Sequence, residues 1–473
     1  MPSPAPAIAT PRPRTAVVLA AGQGKRMKSV HPKVLHEAGG RPLLGWVLEA
    51  ARRAGCARVL VVVGHGADEV RRAFAGATDI TWIEQREQKG TGHALLQTRA
   101  AVPAETLLLV LSGDVPLVRP ETLDRLAAAA EAGWGALATG TLPEPGALGR
   151  VIAGGSGSLG RIVEARDASD DELAIRAVNA GLYALPAPAI FDYLARLEPD
   201  NAQGELYLTD AVTAAARDGR RIDLFELADA DEALGVNDRL ELARVHRLLV
   251  ERKLRALALA GTTFLDPATA TVGAEVVAGP DTVVHGGVTL LGATALGAGV
   301  TVGTGAWLRD SVVGDGAVIE PYSVLDGAEV GPGCRVGPFA RLRPGSVLRD
   351  GAKVGNFVEV KNSTLGPGAK ANHLAYLGDA TVGAGANVGA GVVTCNYDGV
   401  AKHETVIGER AFVGSDTMLV APVKVGADAT TAAGSVITQD VPDGALAVER
   451  TRQRNVEGWA ARRRARKAPP RKD

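Results

Sequence analysis

The sequence predicts two folds joined end to end: an α/β, doubly wound sheet in the first half and a parallel β-helix in the second. Continuous apolar runs at Thr15–Ala21, Ala57–Gly64 and Thr106–Asp114 alternate with helical patterns such as Leu43–Ala54. Such runs suit strands covered on both faces. Further on, aliphatic residues return at every sixth position: Val313, Ile319, Leu325; Val336, Leu342, Leu348, Val354, Val360; and from Ile407 through Val413, Leu419, Val425, Thr431 and Ile437. Period six matches neither an α-helix nor a heptad, and is the hexapeptide rhythm of a β-helix. Finally, the chain has 58 glycines and only 4% aromatic residues, so part of it must pack small side chains at tight corners.

A chain of 473 residues is too long for one core, and two or three domains follow. Residues 1–14, rich in proline and alanine, read as a disordered N-terminus, and 15–236 as the α/β domain. Residues 237–262 read as one helix, with Leu242, Val245, Leu248 and Leu249 on a shared face, Asn237 or Asp238 at its start and Gly261 at its end. It reads as a connecting arm. Residues 263–450 supply roughly ten coils of three hexads each, interrupted by a loop at Thr394–Thr405. The basic tail 451–473 reads as a disordered, solvated end, with contact to a membrane or nucleic acid as the other reading.

The 52 basic and 53 acidic residues nearly cancel, which argues against a nucleic-acid-binding surface. No apolar stretch approaches the ~20 residues of a membrane span, and the first residues lack a signal peptide's layout. Cys56, Cys334 and Cys395 sit far apart without metal-ligand spacing. A reducing cytoplasm fits.

Gly22-x-Gly24 follows the first strand, and Lys25, Arg26, Lys28 and Lys33 come directly after it. Glycines there let backbone amides approach phosphate, although a plain tight turn uses the same residues. The clustered cations suit a polyphosphate. Asp114 ends another apolar strand, on the side where open α/β sheets bind ligands; it can hold a phosphate-bridging Mg²⁺ or cap the following turn. In the repeat half, His373 breaks the hexad rhythm and so lies on a coil rather than inside it.

The motifs LAAGQGKRM…PKVLH, EQKGTGHA, SGDVPL, NAQGELYLTD and GVNDRL resemble those of sugar-nucleotide pyrophosphorylases. With GPFARLRPG, VGNFVEVKN, HLAYLGDA and CNYDG added in this order, the chain resembles the bifunctional N-acetylglucosamine-1-phosphate uridyltransferase/glucosamine-1-phosphate acetyltransferase family, apart from its termini. The resemblance implies a Rossmann-like nucleotidyltransferase domain, a left-handed β-helix, and two reactions: acetylation of glucosamine-1-phosphate by acetyl-CoA, then transfer of UMP from UTP. It implies Mg²⁺ on Asp114 and Asn237, and Arg26 and Lys33 along the UTP phosphates, with Leu19, Ala20 and Gly22 in the same nucleotide site. Gln85, Gly90 and Thr91 would meet uracil, and Gly149, Glu164 and Asn179 the N-acetylglucosamine. In the second half it implies His373 as general base, and Arg343, Lys361, Tyr376 and Asn387 around the phosphorylated amino sugar. Glu359 would orient His373 or the amine. Asn396 and Tyr397 would reach the acetyl end of acetyl-CoA, with Ala390, Ser415, Ala433 and Arg450 along the rest of its groove. A homotrimer with sites between β-helices is implied as well. Two residues depart from the family pattern: Lys25 replaces a usual threonine, and Ala180 stands where a hydroxyl is commoner.

Two rival functions remain at this level: a sugar-1-phosphate nucleotidyltransferase whose β-helix serves only assembly, and a non-catalytic scaffold. Cys395 offers a rival covalent acetyl-enzyme route. Trp459 is expected near the cofactor groove.

Overall fold

The computed structural model describes residues 12–199, 201 and 203–467. Most of the N-terminus read as disordered, and the last six residues of the tail, lie outside the described residues. The chain divides between Lys253 and Leu254 into two compact units.

The first unit is built on β1 (Arg14–Ala20), β2 (Arg58–Val63), β3 (Ile80–Glu84), β4 (Leu107–Ser112), β5 (Gly135–Thr141), β6 (Arg150–Ala153), β7 (Leu159–Val163), β8 (Ala177–Pro186) and β9 (Ile222–Glu226). They form one sheet in the order β9-β5-β8-β4-β1-β2-β3, with β6 paired to β8 and β7. The ladders β1/β2, β1/β4, β2/β3 and β5/β9 are parallel, whereas β8 runs antiparallel to both β4 and β5. Residues on alternate sides of β1 enter two different cores, Ala16 and Val18 one and Val17 the other. That two-sided burial is why the strand reads as an unbroken apolar run. The chain leaves β1 toward β2 on one side and reaches β4 on the other, so the carboxyl ends of β1 and β4 flank the crevice where open sheets bind ligands.

The long helix α1 (Arg239–Leu259) starts on Asp238, whose Oδ1 accepts from the amides of Leu240 and Glu241 at 2.9 Å each. It is more than an arm. Val245 and Leu249 are buried in a core with Met27, Ala38, Leu43, Leu117 and Val236. Gly39 donates to Nδ1 of His246 at 3.2 Å, further tying the helix to the first unit.

The second unit is a left-handed parallel β-helix whose three faces are ladders of 11, 10 and 9 short strands. Each coil sends one residue inward per face, Ile319, Leu325 and Val330 in one coil and Val336, Leu342 and Leu348 in the next, all buried. Buried alanines precede the inward residues (Ala317, Ala352, Ala369 and Ala386), leaving room for the close turns. The coil after Val388 is longer, since its register partner is Val413. The extra length is the excursion at Asn396–Glu404, and here the inward residue is Thr394 instead of an aliphatic. Its hydroxyl accepts from the Gly378 amide at 2.7 Å and donates to the Gly378 carbonyl at 3.0 Å, so the buried oxygen is satisfied.

The ends differ from the sequence reading where they are described. The strand begins at Arg14, and Arg12 pairs with Glu131 at 3.1 Å. In the tail, Trp459–Lys467 form a helix, with Arg463 lying over the half-exposed Trp459 ring at 5.0 Å. Among the described residues, no helix is long and apolar enough to cross a membrane.

Candidate functional sites

Two clefts meet at the carboxyl ends of β1 and β4. The first, of about 570 Å³, is lined by Leu19, Ala20, Gly22, Lys33, Gln85, Gly90, Thr91 and Asp114. The second, of about 510 Å³, is lined by Arg26, Gly149, Glu164, Asn179 and Asn237. Thr91, Ser112 and Asp114 border both. Register explains the meeting: Leu19 pairs with Ser112, and the Gly113 amide donates to the Leu19 carbonyl at 2.9 Å. A Cβ on Gly22 would meet nothing within 4 Å, so that glycine faces open cleft. Gly90 is required by its own backbone: φ is +97°, and a Cβ would lie 2.5 Å from the Leu206 carbonyl.

At the border, the Lys33 ammonium is ion-paired with Oδ2 of Asp114 and donates to Oδ1 of Asn237 at 3.2 Å. Two side-chain oxygens from distant parts of the chain thus converge on one positive charge. Asn237 is held there by its neighbours, since the Val236 amide donates to the Asp114 carbonyl at 2.9 Å and the Asn237 amide to Glu241 Oε2 at 2.6 Å. Asp114 and Asn237 are the oxygen-bearing side chains here that would suit a Mg²⁺ ion.

Other candidate residues are held by partners within the chain. Arg26 lines the second cleft, not the first with Lys33. The Gln85 amide nitrogen donates to the Gly90 carbonyl at 3.1 Å and contacts His93 Nδ1 at 3.0 Å, shaping the cleft wall. Asn179 donates to the Tyr183 hydroxyl at 2.7 Å and accepts from the Gly181 amide at 2.9 Å. Burial pushes the Glu164 carboxyl above the usual carboxylate range, against the Thr209 hydrogen bond, which favours its ionised form. Ala180, the departure from the family pattern, is only 2% exposed and belongs to the core.

On the β-helix, His373 ends a strand at a corner of the prism, exposed, in register with Asn356 one coil earlier. Its Nδ1 lies 2.7 Å from Asn356 Oδ1. With a carbonyl oxygen as partner, Nδ1 carries the proton and Nε2 is left to accept one. The sequence reading has Glu359 orient His373 or the amine; it accepts from Arg343 at 3.0 Å, so the partner of the His373 ring is Asn356. The signal for Asn356 was its place one coil before His373.

A second missed residue is Asp379. Burial pushes its carboxyl up, but hydrogen bonds from Asn362 at 2.7 Å and Asn396 at 2.5 Å, with Lys361 at 3.5 Å, hold it below the usual range. Asn396 is therefore buried and committed to Asp379, and the exposed Tyr397 donates to the Gly399 carbonyl at 2.7 Å. Lys402, also from the excursion, has its ammonium pulled below its ordinary value by the adjacent Lys361. A shallow cleft of about 340 Å³ lies beside this group, lined by Asp379, Lys402 and His403 among others. Tyr376 and Asn387 lie on two different faces of the prism.

The same corner carries the remaining assigned residues in successive coils. The Asp416 amide donates to the Ala390 carbonyl at 2.7 Å, the Gly434 amide to the Ser415 carbonyl at 2.8 Å, and Arg450 to the Ala433 carbonyl at 2.9 Å. In the other direction the corner changes character. Tyr322, Phe339, Phe357 and Leu374 occupy it in consecutive coils, each with φ between 49° and 58°. The rings stack at 5.4 and 5.5 Å, and all four side chains are at least 49% exposed. Bulky residues at positive φ are uncommon, so this row is a marked feature of the backbone. Cys395 is half-buried, and burial raises its thiol pKa, the opposite of an activated nucleophile.

Comparison with known proteins agrees with both halves. Residues 16–205 match the MobA-like NTP transferase domain, and residues 310–344 match the bacterial transferase hexapeptide (six repeats). The bifunctional protein GlmU of Alkalilimnicola ehrlichii is 50% identical over 443 residues, spanning 94% of this chain and 95% of that protein. The corresponding proteins of Pelobacter propionicus (46% identical, 94% and 98% covered) and Stutzerimonas stutzeri (48%, 94% and 98%) are similar along their whole lengths. The doubly wound sheet, the β-helix and these full-length likenesses lead to one conclusion: the chain belongs to the family of bifunctional GlmU proteins.

Proposed function

We propose that the chain acetylates glucosamine-1-phosphate with acetyl-CoA and then joins the N-acetylglucosamine-1-phosphate to UMP drawn from UTP, giving UDP-N-acetylglucosamine and pyrophosphate. The observation that carries this reading is the convergence of Lys33, Asp114 and Asn237 at the border of two clefts, in a chain that also sets His373 on Asn356. In uridyl transfer a sugar-phosphate oxygen attacks the α-phosphorus, the bond to the bridging oxygen breaks, and pyrophosphate departs. Mg²⁺ on Asp114 and Asn237 supplies charge neutralisation for the phosphates. The chain's own part is to hold nucleotide and sugar on either side of Asp114, with Gln85, Gly90 and Thr91 at the base and Gly149, Glu164 and Asn179 at the sugar.

In acetyl transfer the sugar amine attacks the thioester carbonyl, the carbon–sulfur bond breaks and the thiol of CoA leaves. His373 Nε2 takes the proton from the amine and passes it to the departing sulfur, so CoA leaves as the thiol. Arg343, Lys361 and the added Lys402 provide positive charge for the sugar phosphate, while Asp379 fixes Asn396 and Lys361. The small residues along the corner beyond His373 leave a path for acetyl-CoA past Ala390, Ser415 and Ala433 to Arg450. The raised thiol of Cys395 supports direct transfer over a covalent route.

His373 stands on an outer corner rather than in a cleft, so a wall must come from another surface. The exposed aromatic row next to it supports self-association, and we assign a homotrimer. Three free thiols and two nucleotide substrates fit the cytoplasm. The test is mass spectrometry of one reaction holding the protein, glucosamine-1-phosphate, acetyl-CoA, UTP and Mg²⁺. UDP-N-acetylglucosamine with free CoA and pyrophosphate is expected. Uridylation of supplied N-acetylglucosamine-1-phosphate without any acetylation would leave only the assembly role for the β-helix.

A further inference from the structure

We propose that Lys25 holds the departing pyrophosphate, an assignment that rests on the uridyl-transfer reading above. Adjacent cations divide between the clefts: Lys25 lines the first and Arg26 the second. Asp114, Thr91 and Ser112 form the border, so the α-phosphorus that exchanges partners belongs there. Attack and departure at phosphorus run roughly in line. With the sugar phosphate entering from the second cleft, the breaking bond points into the first, and the two leaving phosphates come to rest among its lining groups. The bond that forms joins the sugar-phosphate oxygen to the α-phosphorus; the bond that breaks leaves its electron pair on the pyrophosphate oxygen.

Pyrophosphate carries several negative charges, and the first cleft has two lysines to meet them. Lys33 has partners in Asp114 and Asn237, the two residues that would also hold Mg²⁺. Among the described residues, Lys25 makes no ion pair and no side-chain hydrogen bond, and its exposed side chain can turn toward an anion. The turn holds the two lysines together: Gly24 has φ of +60°, and a Cβ there would lie 2.8 Å from the Lys33 Cβ. Of the two carboxylates lining this cleft, Asp114 is engaged by Lys33, and Glu205 stands beside Gly90 at the base-binding segment. Lys25 is therefore the cation without a side-chain partner among the described residues in the compartment that receives the leaving group.

The experiment runs the reaction backward on the full-length protein, with UDP-N-acetylglucosamine, inorganic pyrophosphate and Mg²⁺. Lys25→Gln is expected to raise KM for pyrophosphate about tenfold, the worth of one charge-assisted contact, and to change KM for the UDP-sugar less than about twofold. Lys25→Arg should keep most of the affinity. An unchanged KM for pyrophosphate in Lys25→Gln overturns the assignment, as does an equal rise for both substrates, which marks a disturbed loop. Calorimetric titration of Mg²⁺–pyrophosphate into wild type and Lys25→Gln separates the two layers of the argument. A protein that loses affinity on substitution yet turns over no UDP-sugar keeps the anion site and sinks the uridyl-transfer reading.

Discussion

The first unit places its candidate residues inside two adjoining clefts, whereas the second sets His373, Ala390, Ser415 and Ala433 along one outer corner. In the α/β unit, Asp114 and Asn237 are far apart in sequence yet share one ammonium, because strand ends and the start of α1 converge on a concave crevice. In the β-helix, His373, Ala390, Ser415 and Ala433 are spaced by coils, and the surface they share is convex. Concave architecture can complete a site within one chain. A prism whose interior is filled by Leu342, Val360 and Leu377 has no room inside for a substrate, so it must borrow a wall.

The contrast gives a series of tests. Asp114→Ala should abolish uridyl transfer, by about a thousandfold or more, while acetyl transfer assayed alone stays within about twofold. His373→Ala should do the converse, lowering acetyl transfer about a hundredfold or more with uridyl transfer intact; loss of both in either variant would end the picture of independent sites. Replacing Phe339 and Phe357 together by serine should shift the protein to smaller species in sedimentation and lower acetyl transfer about tenfold at dilute protein, without touching uridyl transfer. Retained assembly in that variant would remove the aromatic row from the seam. Asn356→Ala should cost acetyl transfer about fivefold, by freeing the His373 ring to turn away from the orientation its Nδ1 contact holds.

The smallest effect concerns pH and stability. Burial raises the Glu164 pKa, so the folded chain holds this proton more tightly than the unfolded chain. The associated stability is complete below the ordinary glutamate value of about 4.3 and is lost as pH rises through the raised folded value. Glu164→Gln should remove that loss, raising the apparent Tm by about 1–2 °C at pH 7.5 and less at pH 5. A gain as large at pH 5 would refute the assignment to ionisation.

Periodicity made the architecture legible. Val336, Leu342 and Leu348 declare the β-helix because the inward position returns every sixth residue and takes an aliphatic side chain in most coils. The runs at β1, β2 and β4 declare buried strands for a related reason. The partner of His373 was not legible, because Asn356 reaches it through coil geometry, and Glu359 is equally near in sequence but points to Arg343. Asp379 was missed because a hydrogen-bonded corner aspartate looks like any turn residue. Arg26 and Lys33 read as one cluster, yet they line different clefts, and the helical turn at Lys25–Met27 puts the adjacent Lys25 and Arg26 on different sides. The tail helix at Trp459–Lys467 was hidden by a composition that reads as solvated.

One consequence concerns where this polypeptide can be cut. Val245 and Leu249 of α1 close the same core that receives Met27, Leu43 and Leu117. A fragment ended at Val236, where the α/β pattern stops in the sequence, would leave that core open to water and discard Asn237. One ended after Lys253 keeps both. The length of α1 up to that residue is thus the C-terminal border of the uridyl half, and a proteolytic survey should find the shortest protease-resistant N-terminal fragment ending beyond Leu249.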